Sequence, residues 1–281
     1  MAAVTPEIFN RLEHFYDTVP RDESHIEEFG TLVLFVRDGA GWPFYARPRR
    51  DATDTPSAAD ITAVRQRQRE LGLPERFEWV HEINPELSAV ARSAGLTVLE
   101  APLMVLDPGA LATGTDQPGV TVRILDPTSP DFAIDVAARR AVSTIGFGAP
   151  GTAIGEAGPA ARDAILLSLP AGALDEERRR AETGQRVSAL AELPGQGAVA
   201  CGTAIRIGDA AEITGITTLP SARRRGIGAA ITAALARRLV ADDTDLIFLS
   251  AGSEEIARVY ARVGFRRLGT ACIAEPHAVT T

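Results

Sequence analysis

Hydrophobic and polar positions alternate with two different periods along this chain. Short apolar runs rich in β-branched residues, bounded by turn formers, predict strands at "VTVRIL" (120–125), "RVSALAEL" (186–193), "AVACGTAIRI" (198–207), "AEITGITTL" (211–219), "LIFLSA" (246–251) and "RLGTACIA" (267–274). Helical spacing of apolar positions predicts helices over "FAIDVAARRAVSTIGF" (132–147), "PAARDAILLSL" (159–169), "DEERRRAE" (175–182), roughly 227–241 and roughly 254–263. The first part reads the same way. Strands "TLVLFV" (31–36) and "FEWVHEI" (77–83) flank the helix "AADITAVRQRQRELG", and a second helix, "PELSAVARSAG", leads to the strand "TVLEAPLMVL". Helices interrupting a strand-rich order mean a mixed α/β class.

The stretch "DPGALATGTDQPG" (107–119) has no apolar period and is rich in Gly, Pro, Thr and Asp, so it reads as a linker. It divides the chain into a first domain, 1–110, a linker, 111–119, and a second domain, 120–281. A chain of 281 residues suits two domains. The two parts end alike. With Gly95 set on Gly264, a strand, a helix, a Gly followed by a large apolar residue, and a strand coincide, so that Trp79 falls on Phe248, Leu87 on Ile256, Val90 on Val259 and Leu96 on Phe265. This reads as an internal repeat.

Composition narrows the functions. All 29 basic residues are arginine, which removes the lysine that a Walker A loop or a Schiff base requires. The net charge of −8 is uneven: residues 1–110 hold 11 arginines against 18 acids, and residues 111–281 hold 18 against 19. An acidic chain is a poor nucleic-acid ligand, since that binding is dominated by phosphate neutralisation. No apolar run approaches the ~18 residues of a membrane span, and the first residues show no signal-peptide h-region. Two widely separated cysteines, Cys201 and Cys272, fit a reducing cytoplasm. With four scattered histidines they show no metal-ligand spacing.

Against this acidic background stands "LPSARRRGIGAAI" (219–231), between a strand and a helix. Its glycines permit positive φ and close approach of backbone to a ligand. A helix start offers unpaired N–H groups and a positive partial charge. Together with arginines, whose donors match phosphate, these features suit a pyrophosphate. The dinucleotide pattern GxGxxG fails, because Ile231 stands where the third glycine belongs. A bare arginine cluster at a helix start is electrostatically unfavourable without an anion.

"RRRGIG" resembles the R/Q-x-x-G-x-G/A signature of the GNAT superfamily of acyl-CoA-dependent N-acetyltransferases, and "ARVYARVGFRRLG" resembles that family's A-x-x-x-Y-x-x-x-G-F segment. The similarity extends in order and spacing over about 120–274. It implies a GNAT fold, a strongly twisted mixed sheet flanked by helices, here as a tandem with a truncated first copy. It also implies acetyl-CoA as co-substrate, with no metal. Backbone N–H groups of Arg224, Arg225, Gly226, Ile227, Gly228 and Ala229, following Arg223, would hold the CoA pyrophosphate. Pantetheine would lie along Ile216, Thr217 and Thr218, paired through the backbone of Ile216 and Thr218. Gly215 suits such a strand, since a glycine there often marks a bulge or close approach.

Acyl transfer to an amine needs a neutral amine, a stabilised tetrahedral intermediate and a proton for the thiolate leaving group. No Ser–His–Asp, GxSxG or Cys–His arrangement is visible, which points to direct attack. Tyr260 shares a helix face with Ile256 and Val263. By the resemblance it would be the general acid toward the thiolate; Ala91 occupies the matching place in the first half. Glu212, alternating with Thr214, Ile216 and Thr218 on one strand face, resembles the general base of the histone-acetyltransferase branch, a water relay being the alternative. Ser253 stands where the family often has an asparagine that contacts CoA.

The first domain has no R-x-x-G-x-G. Its aromatic and polar groups concentrate at Trp42, Phe44, Tyr45, Trp79 and His81, and its acidity suits either a cationic amine or solubility. The expectation is a cytoplasmic acetyltransferase, monomeric or homodimeric, acting on the primary amine of a small molecule without nucleic acid or membrane. An acyl-CoA-binding sensor and an aminoacyl-tRNA-dependent transferase are the alternatives.

Overall fold

The chain divides into two compact units, Met1–Leu103 with Ser250–Glu254 and Arg267–Thr281, and Met104–Leu249 with Glu255–Arg266. The computed structural model describes residues 6–39, 41–114, 117–165 and 172–277.

The first unit opens with α1 (Pro6–Thr18), followed by the antiparallel strands β1 (Ser24–Phe29), β2 (Leu32–Arg37) and β3 (Arg47–Pro48) in that order across their sheet. Then come α2 (Ala58–Glu70), β4 (Phe77–Val80), α3 (Leu87–Ser93) and β5 (Leu96–Leu106). A capping box starts α2, with Ser57 accepting from the Asp60 N–H and Asp60 accepting in return. Helix α1 and strand β1 are absent from the expectations above. Phe9, Leu12 and Phe15 of α1 do keep helical spacing, but Glu13 and Asp17 are buried with them and interrupt the apolar stripe. Glu13 accepts from Arg47, 2.7 Å away, and from the Val80 N–H, which makes its burial tolerable.

The second unit runs β6 (Thr121–Ile124), α4 (Phe132–Gly148), α5 (Pro159–Asp163), α6 (Ala173–Glu182), β7 (Arg186–Leu193), β8 (Gly197–Ile207), β9 (Ala210–Thr218), α7 (Ile227–Ala241), β10 (Leu246–Ser250) and α8 (Glu254–Ala261). The final strand, β11 (Phe265–Pro276), lies mostly in the first unit, where it stands between β4 and β5. The first unit's core accordingly takes Cys272 and Ala274 from β11 beside Leu34, Phe77, Trp79 and Leu96. In the second unit the order is β10-β9-β8-β7-β6, antiparallel except for the parallel β10–β9 pair.

The fold is thus mixed α+β, as its periodicities indicate. The helix expected over 159–169 is described only as Pro159–Asp163; residues 166–171 lie outside the described residues. Both strand–helix–strand segments are present, and the glycine joining helix to strand is left-handed in each, Gly95 at φ 80° and Gly264 at φ 118°. No helix among the described residues is long and apolar enough to cross a membrane.

Candidate functional site

The site is built around β9. Its register against β8 pairs Thr203 with Thr214 and Cys201 with Thr217, so Gly215 and Ile216 together oppose Gly202. This is a bulge, and Gly215 sits in it at φ +65°, a conformation glycine adopts without strain. The bulge reverses the alternation of side chains. Glu212, Thr214 and Thr217 pair with Ile205, Thr203 and Cys201 and share their face, which is the α4 face: Arg139 of α4 donates to Thr203 Oγ1 at 3.3 Å. Ile216 instead reaches the α7 face, close to where a Gly202 Cβ would lie, alongside Ile231 and Leu235. The expectation that Glu212 shares a face with Ile216 and Thr218 is therefore corrected; it shares one with Thr214 and Thr217.

On its other side β9 pairs with β10 through only three positions, the last being Phe248 with Glu212. β9 continues to Thr218. From Ile213 onward its edge has no strand beside it among the described residues, so backbone donors and acceptors are offered to whatever lies there. Glu212 stands where the two strands part.

After β9 the chain makes a 3₁₀ turn at Pro220–Ala222 and enters the arginines. Arg224 is left-handed, φ +64°, an uncommon conformation for a side chain of its size, and Gly226 follows at φ +73°. Left-handed residues in such a turn aim successive N–H groups at one point. Gly226 is the N-cap of α7 and supplies no side-chain cap, and the positive end of this 15-residue helix lies at the turn. The helix is fixed by burial of Ile227, Ile231, Leu235 and Leu239. Nothing in the linker announces that Gln117 lies over this turn, yet a Cβ on Gly226 would meet its amide at 2.8–3.1 Å.

The three arginines do different things. Arg223 donates to four carbonyls, those of Thr218, Ala153, Gly146 and Ala149. Arg224 forms an exposed ion pair with Glu255 of α8 at 2.7 Å, and Thr152 donates to the same carboxylate at 3.0 Å. Arg225 is exposed and has no ion-pair partner among the described residues.

Tyr260 lies in α8, buried against Phe265 with ring centres 6.3 Å apart. Burial pushes its phenol up to about 12. Ser253 precedes α8 and is exposed. On the α4 face, Glu177 receives both Arg139, at 2.8 Å, and Arg186, at 3.0 Å, and Arg139 also reaches Thr203. That arrangement escaped the sequence reading, because its members come from α4, α6 and β7.

Residues 196–273 match the model of the family described as FR47-like protein. No curated protein sequence matches the chain. A GCN5-related N-acetyltransferase from Kribbella flavida superposes with a TM-score of 0.69, at 21% identity over 96% of each chain. The GCN5-related N-acetyltransferase-like protein from Streptococcus suis gives 0.53, at 12% identity over 96% of this chain and 98% of that one. A putative acetyltransferase from the GNAT family of Novosphingobium aromaticivorans gives 0.51, at 16% identity over 90% of each. These bear out the resemblance read from the sequence: the chain has the GNAT fold, and its FR47-like segment spans β8, the bulged β9, the arginine–glycine turn and α8.

Proposed function

We propose that this protein is an acyl-CoA-dependent N-acyltransferase that moves acetyl from acetyl-CoA to the primary amine of a small molecule. One observation carries the reading. A bulged strand with a bare edge leads through a short turn into a helix start whose N-cap is a glycine, and Arg224 and Gly226 there are both left-handed. The edge suits the amides of pantetheine, and the helix start suits a pyrophosphate.

In this reading the substrate amine attacks the thioester carbonyl, the C–S bond breaks, and the thiolate leaves. Glu212, or a water it holds, takes a proton from the amine nitrogen. Tyr260 donates toward the thiolate. A phenol near 12 is a weaker acid than an ordinary thiol near 8.5, so full proton transfer in the ligand-free environment is uphill. Tyr260 then serves by hydrogen bonding to the developing charge. The second reading is an acyl-CoA-binding sensor.

The testing experiment is calorimetric titration with acetyl-CoA, followed by thiol release across a panel of amines. Binding with release supports the acetyltransferase. Binding without release from any amine supports the sensor. No binding removes both. The small-molecule acceptor, the cytoplasmic location, and a tandem arrangement with a degenerate first domain belong to the same proposal.

A further inference from the structure

Within the arginine run proposed to lie at the pyrophosphate, Arg223 is turned to the protein's own carbonyls. Its guanidinium is half-buried and donates to the carbonyls of Gly146 and Ala149 at the C-terminal end of α4, of Ala153 in the following loop, and of Thr218 at the end of β9. The last carbonyls of a helix have no partner within it and carry the negative end of its dipole. A guanidinium set on them is both satisfied and charge-compensated. Four of its five N–H donors are already placed.

The same loop is stitched to the same turn at further points. The Gly155 N–H donates to the Pro220 carbonyl at 3.2 Å, and the Ser221 N–H to the Ala157 carbonyl at 3.0 Å. Glu255 binds Thr152 and Arg224 together. The loop follows α4, which packs on the face of β9 where Glu212 and Thr214 also point, and Phe147 at the end of α4 and Ile154 in the loop are exposed. The α7 face, by contrast, is filled by Ile216, Ile231 and Leu235.

We propose that Arg223 is a positioning residue for the acceptor side of the site and not a phosphate ligand: it fixes the 146–157 loop, with Phe147 and Ile154 as an apolar wall, at the register set by the pyrophosphate turn. This rests on the acyl-CoA reading for the identity of the turn's ligand, whereas the tie between loop and turn does not.

The test compares Arg223→Ala and Arg223→Lys with Arg225→Ala. In ligand-free Arg223→Ala, amides of 146–157 exchange about tenfold faster while those of β7 and β8 keep their protection. Its acetyl-CoA Kd changes by less than about threefold, whereas Arg225→Ala weakens Kd by about tenfold and leaves the loop's exchange unaltered. With any accepted amine, Arg223→Ala raises the acceptor KM and leaves that of acetyl-CoA, and Arg223→Lys restores part of the loss through its charge at the end of α4. Should Arg223→Ala fail to fold, Arg223→Lys carries the same comparison with a smaller change. Unchanged loop exchange in a folded Arg223 variant overturns the proposal, as does a loss of acetyl-CoA affinity matching that of Arg225→Ala. If acetyl-CoA binds no variant and not the wild type, the acyl-CoA reading fails, and the ligand-free exchange still decides whether Arg223 holds the loop.

Discussion

Gly146 of α4 lies so close to Thr217 of β9 that a Cβ on the glycine would come within 2.1 Å of the threonine Oγ1 and 3.0 Å of its Cβ. The hydroxyl can rotate away, but the Thr217 Cβ cannot, and the bulge at Gly215 is what turns Thr217 toward α4. Gly146→Ala is therefore expected to destabilise the protein by about 1–3 kcal/mol through overpacking. Thr217→Ala, which removes the Oγ1 and Cγ2 atoms, should recover much of that loss when the two are combined. Urea denaturation of the four proteins of the cycle measures it. Strictly additive effects would show that the two residues do not meet.

Gly226 is constrained twice, by φ +73° and by the Gln117 amide. Gly226→Ala is expected to cost about 1–2 kcal/mol, since a non-glycine residue is strained there. Gln117→Ala should relieve the steric part and leave the backbone part. Gly226→Asp adds a carboxylate at the helix start where the pyrophosphate is proposed to bind, and acetyl-CoA affinity should fall by about a hundredfold or more. Calorimetry with the folded variant checks this. Retained affinity would move the phosphate site elsewhere.

The helix α7 and the strands around it were legible because their residues interact with near neighbours: the period of Ile227, Ile231, Leu235 and Leu239 is a local property. The glycine in the middle of β9 correctly announced a bulge. Its consequence was not legible, since a face assignment counts residues in twos, and one inserted residue moves everything beyond it to the other face. Arg223 and Arg225 are two positions apart in one motif and could not be told apart either. What separates them is the end of α4, more than 70 residues earlier in the chain and invisible to spacing. Gln117 was unreadable for the same reason.

The buried pair of Glu13 and Arg47 offers a test in the first unit. Arg47 is 1% exposed, lies 5.0 Å from the Tyr16 ring centre, and shares its charge between Glu13 and the half-buried Glu78. Glu13→Ala leaves the guanidinium with one carboxylate and strips the Val80 N–H of its acceptor. A loss of about 3–5 kcal/mol is expected, as for breaking a buried pair from one side. Replacing both residues, Glu13→Leu with Arg47→Met, should cost less than Glu13→Ala alone, because the fully buried guanidinium is removed and only the half-buried Glu78 loses a partner. A double variant less stable than the single one would argue that the pair contributes through attraction rather than through avoided desolvation.

Stability at high pH isolates the thiols, because the chain has no lysine and its arginines stay charged far above pH 10. Burial raises Cys201 to about 12 and Cys272 to about 11. An unfolded thiol ionises near 8.5. The folded state thus holds protons that the unfolded state has released, and stability declines as pH rises from 8.5 toward those raised values. For Cys201 alone the decline reaches about 2 kcal/mol by pH 10. Tyr260, held near 12 against an ordinary 10, adds a further decline only above pH 10. Denaturant midpoints measured from pH 7 to 10 should fall in the wild type and stay nearly flat in a Cys201→Ala, Cys272→Ala double variant, once each curve is referred to its own pH 7 value. Tyr260→Phe, measured the same way, should leave the 8.5–10 segment unchanged while lowering turnover more than acetyl-CoA affinity. If the cysteine-free protein loses stability as steeply as the wild type below pH 10, the buried thiols are not the cause.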